Sequence, residues 1–295
     1  MPALEKTYKT LGSSISLFIS SFISILKIAF MYRINKKLPK AIKTSCAVLG
    51  NGPSLNDSFE NHLNFIKKCD ILCVNNFVHS DYFEILKPED YVLLDGYYFL
   101  FDNQKYNRQD VYLTFEKFKI INWHINFYLP AIAKKSYLVN EYLGRNPFVH
   151  IYYFNHIVIE GYNWFKHFIF KKELGMPQSQ NVLCASLFLS INKGYKDIYL
   201  FGADHSWHEK LSILDNNKIS LEDVHFYDKK KVDPKLMQGF LESNINIADI
   251  FLSLYKLFRS YNIINNYANY RKVKIYNASH KSFIDAFEKI KINDK

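Results

Sequence analysis

Short apolar runs alternate with longer amphipathic runs along the chain from residue 43. The runs SCAVLG and DILCVNNF are rich in small or branched apolar side chains, which predicts two buried strands. Between them, FENHLNFIKKC places Phe59, Leu63 and Ile66 on one face of a predicted helix. Strands that alternate with helices at this spacing predict a mostly parallel, Rossmann-like α/β sheet with helices on both faces.

The alternation continues further along the chain. A third strand is predicted in DYVLLDGYYF, and a helical pattern that stops at Gly194 precedes a fourth strand, DIYLFG. A fifth strand is predicted from Val273 to Tyr276, followed by a helix that ends the chain. We therefore expect one α/β domain to contain most of the chain.

Polar or glycine residues follow each of the five predicted strands. Because the carboxyl ends of parallel strands lie at one edge, where open α/β sheets bind ligands, these residues predict a shared site. They are Gly50, Asn51, Gly52 and Ser54 after the first strand, Asn75 and Asn76 after the second, Asp95 after the third, Asp204 and His205 after the fourth, and Asn277 and Ser279 after the fifth.

The stretch GNGPS after the first strand is the most distinctive of these turns. Its glycines allow a tight turn and a close approach to a ligand, and the Asn51 amide offers two donors and an acceptor. Pro53 and Ser54 begin the next segment, where free N–H groups favour an anion. GNGPS is neither the GxGxxG fingerprint nor a P-loop with its lysine, and a plain strand-to-helix turn is the alternative.

Composition narrows the ligand and the compartment. Lys and Arg total 38 against 28 Asp and Glu, a net charge of +10, which suits a phosphate-bearing ligand, an anionic membrane or nucleic acid. Nucleic acid is disfavoured because the chain has no zinc-finger spacing and no arginine-rich tract. The four cysteines form no CxxC pair, which indicates buried thiols in a reducing, cytoplasmic compartment.

The N-terminal segment has a different character. Residues 10–26 carry no charge, and the cations Lys27, Arg33, Lys36, Lys37 and Lys40 follow them. A spanning helix needs about 20 strongly apolar residues, and serines dilute this run. The segment therefore predicts an amphipathic helix that lies on the inner membrane as a peripheral anchor, with a helix packed on the protein body as the alternative.

Three motifs of the chain resemble motifs of known enzymes. GNGPSL, VNNF and LSINKGYKDIYLFGADHS are similar to segments of the bacterial sialyltransferases of glycosyltransferase family 42, and to the wider set of MptE-like pterin diphosphokinases. The resemblance consists of short matching segments within residues 46–287. Residues 97–176 contain no matching segment. It implies a GT-A-like variant of the Rossmann-like fold with a smaller helical lid.

The resemblance also implies an activity. It implies inverting transfer of a sugar from a CMP-sugar donor, without metal or another cofactor, to a glycan or glycolipid acceptor in cell-surface polysaccharide synthesis. By the same resemblance, Asn51 would face the phosphate region, Asn75 the sugar or ribose, and Asn277 and Ser279 the nucleotide. Asp95 stands where the family has an asparagine, and Asp204 matches an aspartate of the family.

Two departures leave the donor sugar open. The family has two tyrosines where this chain reads HSWHEKL, and an arginine of the family aligns near Ser179. Sialic acid, Kdo or another phosphate-activated sugar are all retained as donors. An ATP- and Mg²⁺-dependent diphosphokinase is the alternative activity.

Inverting transfer needs a general base, and histidine has its unperturbed pKa nearest to the working pH. His225, in a loop where the family has its catalytic histidine, is the first choice, and His205 is the competitor. Asp204 and His205 begin a short run of potential metal ligands. No DxD pair appears in the chain, so no metal is expected.

These inferences divide the chain into four parts. Residues 1–40 form the membrane-associating or packing helix, and residues 41–205 form the nucleotide-binding α/β domain. Residues 206–270 form a lid on the acceptor side. Residues 271–295 complete the α/β domain.

Overall fold

A computed structural model describes residues 2–100, 109–228, 233–236 and 245–292 of the chain. The described residues include eleven strands in two sheets. The strands are β1 Ser45–Leu49, β2 Asp70–Val74, β3 Asp90–Val92, β4 Ile125–Pro130, β5 Val149–Phe154, β6 Asp197–Phe201, β7 Leu211–Ile213, β8 Ile219–Leu221, β9 Lys235–Leu236, β10 Lys274–Asn277 and β11 Glu288–Lys289. The α-helices are α1 Pro2–Met31, α2 Leu55–Lys68, α3 Tyr82–Leu86, α4 Tyr97–Leu100, α5 Gln109–Lys119, α6 Asn163–Lys171, α7 Val182–Lys193 and α8 Ile247–Tyr270.

The main sheet has eight strands in the order β11-β10-β6-β1-β2-β3-β4-β5. All of its pairings are parallel, which confirms the predicted α/β class. From β1 the chain adds strands outward to β5 and then returns to place β6 on the other side of β1. The strand order therefore reverses between β1 and β6, and open sheets of this kind bind ligands at such a point.

Helices cover both faces of the main sheet. Alternate side chains of β1 enter different cores: Cys46 and Val48 pack with α6, α7 and α8, whereas Ala47 and Leu49 pack with α2, α3 and α5. Burial on both faces explains why the strand is apolar at successive positions rather than alternating.

The amino ends of the strands carry polar side chains that bond to one another. The buried carboxylate of Asp90, at the start of β3, pairs with the buried ammonium of Lys193. It also accepts hydrogen bonds from Tyr128 at 2.9 Å and Tyr195 at 3.2 Å. These contacts compensate the desolvation of the charges. The polar groups at this edge are thus used within the protein, in contrast to some at the opposite edge.

The segment predicted as a helical lid, residues 206–270, contains both strands and a helix. β7, β8 and β9 form a small antiparallel sheet, in which Asn217 has left-handed backbone, φ 59°, between β7 and β8. The run DNN between two apolar stretches is a hairpin signal. α8 follows, but it packs against α7 in the core of the main sheet. The helical part of this segment therefore belongs to the α/β body.

The helix predicted after β10 is not found in residues 271–292, and residues 293–295 lie outside the described part of the chain. Polar side chains in this segment bond to backbone groups instead. Asn277 Nδ2 donates to Ile284 O at 3.1 Å, and Ser282 Oγ donates to Ala203 O at 2.6 Å. Such local bonds compete with helix formation.

Candidate functional site

A cavity of about 790 Å³ lies at the carboxyl ends of β1, β2, β3 and β6. It therefore occupies the point where the strand order reverses, and the structure brings most of the predicted site residues together there. The predicted residues that line the cavity are Asn51, Gly52, Asn75, Asn76, Asp95, Asp204, His205 and His225.

The turn between β1 and α2 is bound closely to the end of β6. Gly50 N donates to Phe201 O at 2.8 Å, and Gly52 N donates to Gly202 O at 2.9 Å. A Cβ atom at Gly52 would lie 2.0 Å from Asp204 Oδ2. The glycines thus allow a close approach to the end of β6, and Gly52 also lines the cavity. The contact of these glycines with a ligand stays a prediction.

The Asp204 carboxylate lies at the N-terminus of α2. It accepts hydrogen bonds from Ser54 N at 3.2 Å and Ser54 Oγ at 2.8 Å. Burial raises the pKa of Asp204, and the hydrogen bonds from Ser54 partly oppose that rise. The helix terminus that the sequence assigns to a ligand anion is thus occupied by a carboxylate of the protein itself.

Two asparagine side chains at the cavity have buried oxygens without a hydrogen-bond partner among the described residues, Asn51 Oδ1 and Asn75 Oδ1. Asn51 Nδ2 donates to Val74 O at 3.2 Å, so the amide nitrogen is used and the oxygen is left over. A buried polar atom without a partner costs free energy. These oxygens fit hydroxyl or amino donors of a ligand better than phosphate oxygens, so the amide orientation disfavours the phosphate contact that the resemblance implies for Asn51.

Asn76 and Asp95 line the cavity but also make bonds inside the protein. Asn76 Oδ1 accepts from the Tyr98 hydroxyl at 2.6 Å, and Asp95 Oδ1 accepts from Tyr97 N at 3.0 Å. Both side chains therefore help to fix the loops after β2 and β3. Asp95 is also exposed at the cavity wall.

His205 is buried, with only 4% of its surface exposed, and has left-handed backbone, φ 53°. Its Nε2 atom lies 2.6 Å from the Tyr261 hydroxyl and 2.9 Å from Asn181 Nδ2. Burial lowers the pKa of His205 to about 3, so the imidazole is neutral at physiological pH. Strained backbone of this kind at a cavity wall is a common feature of functional sites.

His225 has a different environment. Its side chain is 33% exposed, and its ring stacks on Tyr227 at 5.1 Å between centroids. Its Nδ1 lies 3.6 Å from Asp228 Oδ2, and its Nε2 lies 3.8 Å from Asp223 Oδ2. The ring is therefore oriented by an aromatic neighbour and flanked by two carboxylates.

Gly50, Ser54, Asn277 and Ser279 do not line the cavity. Asn277 and Ser279 are buried, and Ser279 Oγ accepts from Ala203 N at 3.0 Å. The Ser279 side chain instead supports the end of β6, and the Asn277 amide bonds to Ile284 O and Ser279 N within the segment after β10. Their assignment as nucleotide contacts remains a prediction from the resemblance.

The start of α7 is a part of the cavity wall that the sequence did not predict. Asn181 caps α7 by accepting from Cys184 N at 3.1 Å, and Gln180 and Ser179 line the cavity beside it. An asparagine directly before an apolar helical run is a readable N-cap signal. Other missed wall residues are Tyr98, His156, Trp207, Lys210 and Tyr227.

The described part of the cavity wall is not basic, despite the net charge of the chain. It contains Asp95, Asp204, Glu222 and Asp223 against Lys210, whose Nζ lies 3.7 Å from Glu222 Oε1. Within the described ranges, no three His, Cys, Asp or Glu side chains cluster as metal ligands. Among the described residues, the other lysines and arginines lie outside this wall.

No protein-family model matches the chain, and no curated protein matches it. Among solved structures, the chain is similar to that of the MAf glycosyltransferase from Magnetospirillum magneticum AMB-1, with 14% identity and a TM-score of 0.46. The likeness covers 93% of this chain and 38% of that protein, so the chain spans less than half of its length. A likeness of this extent carries no argument about activity.

Proposed function

We propose that the protein is a glycosyltransferase that moves a sugar from a nucleotide donor to a glycan or glycolipid acceptor. The observation that carries this proposal is the cavity where the strand order reverses, with two unpartnered asparagine oxygens and a histidine on its wall. Its volume lies within the range of about 300–1,000 Å³ that is typical of small-molecule sites. The resemblance of the strand-end motifs favours a CMP-sugar, sialic acid- or Kdo-like, and inversion without metal.

The donor is oriented by the strand ends and by α7. Asn51 Oδ1 and Asn75 Oδ1 accept from hydroxyl or amino groups of the nucleoside. The N-terminus of α7 opens on the cavity beside Asn181, and a helix N-terminus favours an anion such as the donor phosphate. We therefore propose the N-terminus of α7 as the phosphate site, a choice supported by the Asp204 carboxylate at the end of α2.

His225 is the proposed general base. Inverting transfer requires the acceptor hydroxyl to lose its proton as it attacks the sugar. The carboxylates of Asp223 and Asp228 stabilise the imidazolium that forms, and the stack on Tyr227 holds the ring plane. His205 is neutral, so its role is to position ligand groups by hydrogen bonding rather than to neutralise a phosphate.

The proposed compartment is supported by the thiols and the first helix. Cys46, Cys69, Cys73 and Cys184 are all free and buried, as a cytoplasmic protein allows. The exposed apolar side chains of α1 support a membrane surface as a partner. We therefore place the enzyme in the cytoplasm, at the inner face of the membrane.

A panel of nucleotides tests the proposal most simply. The melting temperature of the full chain is measured with CMP, UMP, UDP, GDP, AMP and ATP, each with EDTA and with Mg²⁺. A ligand that binds the native state raises the melting temperature. We expect CMP to give the largest rise, equal in EDTA and Mg²⁺, and the corresponding sugar nucleotide to be hydrolysed slowly.

Two other outcomes contradict the proposal. A rise with ATP that requires Mg²⁺ indicates the diphosphokinase, an activity that the acidic cavity wall at Glu222 and Asp223 would fit through a bound cation. No rise with any nucleotide indicates that the cavity has another ligand.

A further inference from the structure

Two serines of the first helix, Ser21 and Ser24, bind the protein body. Ser24 Oγ accepts from Glu160 N at 2.9 Å and donates to Glu160 O at 3.0 Å. Ser21 Oγ accepts from Tyr162 N at 3.2 Å. Between these contacts, Gly161 has φ +119°, and a Cβ atom there would lie 2.0 Å from Ser21 Oγ. Ser21 and Ser24 are therefore buried on one packed face of α1, whereas Ser13, Ser14 and Ser16 are exposed.

The opposite face of α1 is apolar and exposed. Positions three and four apart lie on one face of a helix. On this face, exposure of the large side chains ranges from 42% at Leu26 to 79% at Phe30. The exposed stripe consists of Ile15, Phe18, Ile19, Phe22, Leu26 and Phe30. A helix on the surface of a water-soluble domain normally has the reverse orientation, with its apolar face toward the core.

Further exposed apolar side chains lie on α6, and the residue before this helix, Tyr162, contacts α1. The Tyr162 hydroxyl donates to Ser14 O at 2.9 Å, and the Tyr162 ring stacks with Trp164, which is 71% exposed at the start of α6. Phe168 is exposed one turn further along α6. Tryptophan is enriched where a protein meets the interface of a membrane. We call the stripe together with Trp164 and Phe168 the apolar surface.

Cations follow the stripe directly. Arg33, Lys36, Lys37 and Lys40 are exposed, and the sequence has no acidic residue from 10 to 56. An apolar helix face followed by exposed cations matches the two parts of an anionic bilayer surface, its acyl boundary and its headgroups.

By length and composition alone, residues 13–31 of α1 also suit a membrane-crossing helix. Crossing would require α1 to leave the body. The hydrogen bonds of Ser21 and Ser24 to Glu160 and Tyr162 would then break, and both hydroxyls would enter hydrocarbon. We propose that α1 instead lies in the plane of an anionic phospholipid bilayer, held to the body by Ser21 and Ser24, and inserts the apolar surface into it. This proposal does not depend on the sugar-transfer activity.

Vesicle binding of the 295-residue chain tests whether the apolar surface inserts into a bilayer. Phe22→Ser with Leu26→Ser removes two side chains of the stripe. Leu113→Ser with Ile120→Ser is the matched control, because these side chains are 54% and 71% exposed beside the opposite face of the sheet. Circular dichroism and melting temperature check that both double variants fold.

We expect the wild type and the control to float with vesicles of phosphatidylcholine and phosphatidylglycerol, and the stripe variant to bind at least tenfold more weakly. Binding to the anionic vesicles should exceed binding to pure phosphatidylcholine. Equal flotation of the stripe variant and the wild type would overturn the proposal. A wild type that binds no vesicles but self-associates through the stripe would also overturn it, in favour of contact between two copies.

The depth of three labelled positions separates the in-plane from the crossing orientation. Ile15→Cys, Phe22→Cys and Phe30→Cys are made singly and labelled with a fluorophore that lipid-bound quenchers reach at known depths. The native cysteines are buried, and unsubstituted protein is the labelling control. We expect one shallow depth at all three positions. A depth that changes along the helix, with Phe22 at the bilayer centre, would overturn the proposal, because positions 15 and 30 are about 22 Å apart along the axis.

Discussion

At the residue scale, the cavity wall contains two histidines in contrasting environments. His205 is enclosed by Tyr261, Asn181 and Trp207, and burial lowers its pKa to about 3. His225 is partly exposed and lies between the carboxylates of Asp223 and Asp228. Solvent access and neighbouring carboxylates assist proton transfer, so we assign that step to His225 and positioning to His205.

Replacing His225 by alanine tests the base. A positioned general base contributes about 10²–10⁴-fold to the rate. We expect His225→Ala to lower turnover by that factor and to leave the nucleotide dissociation constant unchanged, as measured by steady-state kinetics and by titration. His208→Ala is the control, because the His208 ring packs on Phe283 and does not line the cavity. Wild-type turnover in His225→Ala would exclude the base assignment.

The buried His205 also predicts how stability depends on pH. Its folded pKa of about 3 lies below its unfolded value of about 6.5, so the unfolded chain binds more protons between these pH values. Stability therefore falls as pH drops from 6.5 toward 3, and His205 contributes a slope of about 1.4 kcal/mol per pH unit.

Urea unfolding at pH 7, 6 and 5 measures this contribution. We expect His205→Gln to show a flatter loss of stability with falling pH than the wild type. His280→Gln, which removes an exposed imidazole, should keep the wild-type slope. Identical slopes in the wild type and His205→Gln would show that His205 is not held neutral by burial.

At the element scale, the turn after β1 and the end of β6 form one interlocked unit. Backbone hydrogen bonds from Gly50 and Gly52 join them, and the Asp204 carboxylate binds Ser54 at the start of α2. This unit fixes the direction in which Asn51 and His205 face the cavity. Its geometry therefore determines the site as much as the ligand-facing side chains do.

Substitution of Gly52 tests the interlock. In Gly52→Ala the new methyl group would meet Asp204 Oδ2 at 2.0 Å and Gly202 O at 2.7 Å. Overpacking of this kind costs about 1–3 kcal/mol. We expect a lower melting temperature and a loss of nucleotide-induced stabilisation. Adding Asp204→Ala should restore part of the stability, because it removes one of the two clashes, whereas a wild-type melting temperature in Gly52→Ala would contradict the close contact.

The sequence predicts the strands of the main sheet better than it predicts the contacts between the turn after β1 and the end of β6. The apolar runs around Val48, Leu72 and Leu200 predict strands because strands buried on both faces are apolar at every position. Polar residues at strand ends are ambiguous, because the same residue types bind ligands and tie loops. Asn51 lines the cavity while Asn277 bonds within the protein, and only the tertiary neighbours distinguish them.

At the scale of the whole molecule, the charge and the apolar side chains are distributed unevenly. The described cavity wall has more carboxylates than cations, whereas the segment after α1 carries Arg33, Lys36, Lys37 and Lys40. The sequence shows the apolar run of α1 and the cations, but not which face of the helix binds the body. That depends on the pairing of Ser24 with Glu160, which lie 136 residues apart in sequence.

Calorimetric titration of three variants tests whether a nucleotide binds at the strand ends. The nucleotide used is the one that raises the melting temperature most. Asn51→Ala and Asn75→Gly each remove one unpartnered oxygen, and glycine at 75 tolerates the left-handed backbone, φ 46°. Asn262→Ala is the control, because this exposed amide on α8 bonds only to Phe258 O among the described partners.

A hydrogen bond to a ligand contributes about 1–2 kcal/mol, which corresponds to a factor of roughly 5–30 in affinity. We predict that Asn51→Ala and Asn75→Gly each weaken nucleotide binding by this factor, while Asn262→Ala binds as the wild type does. Unchanged affinity in both cavity variants would contradict the account.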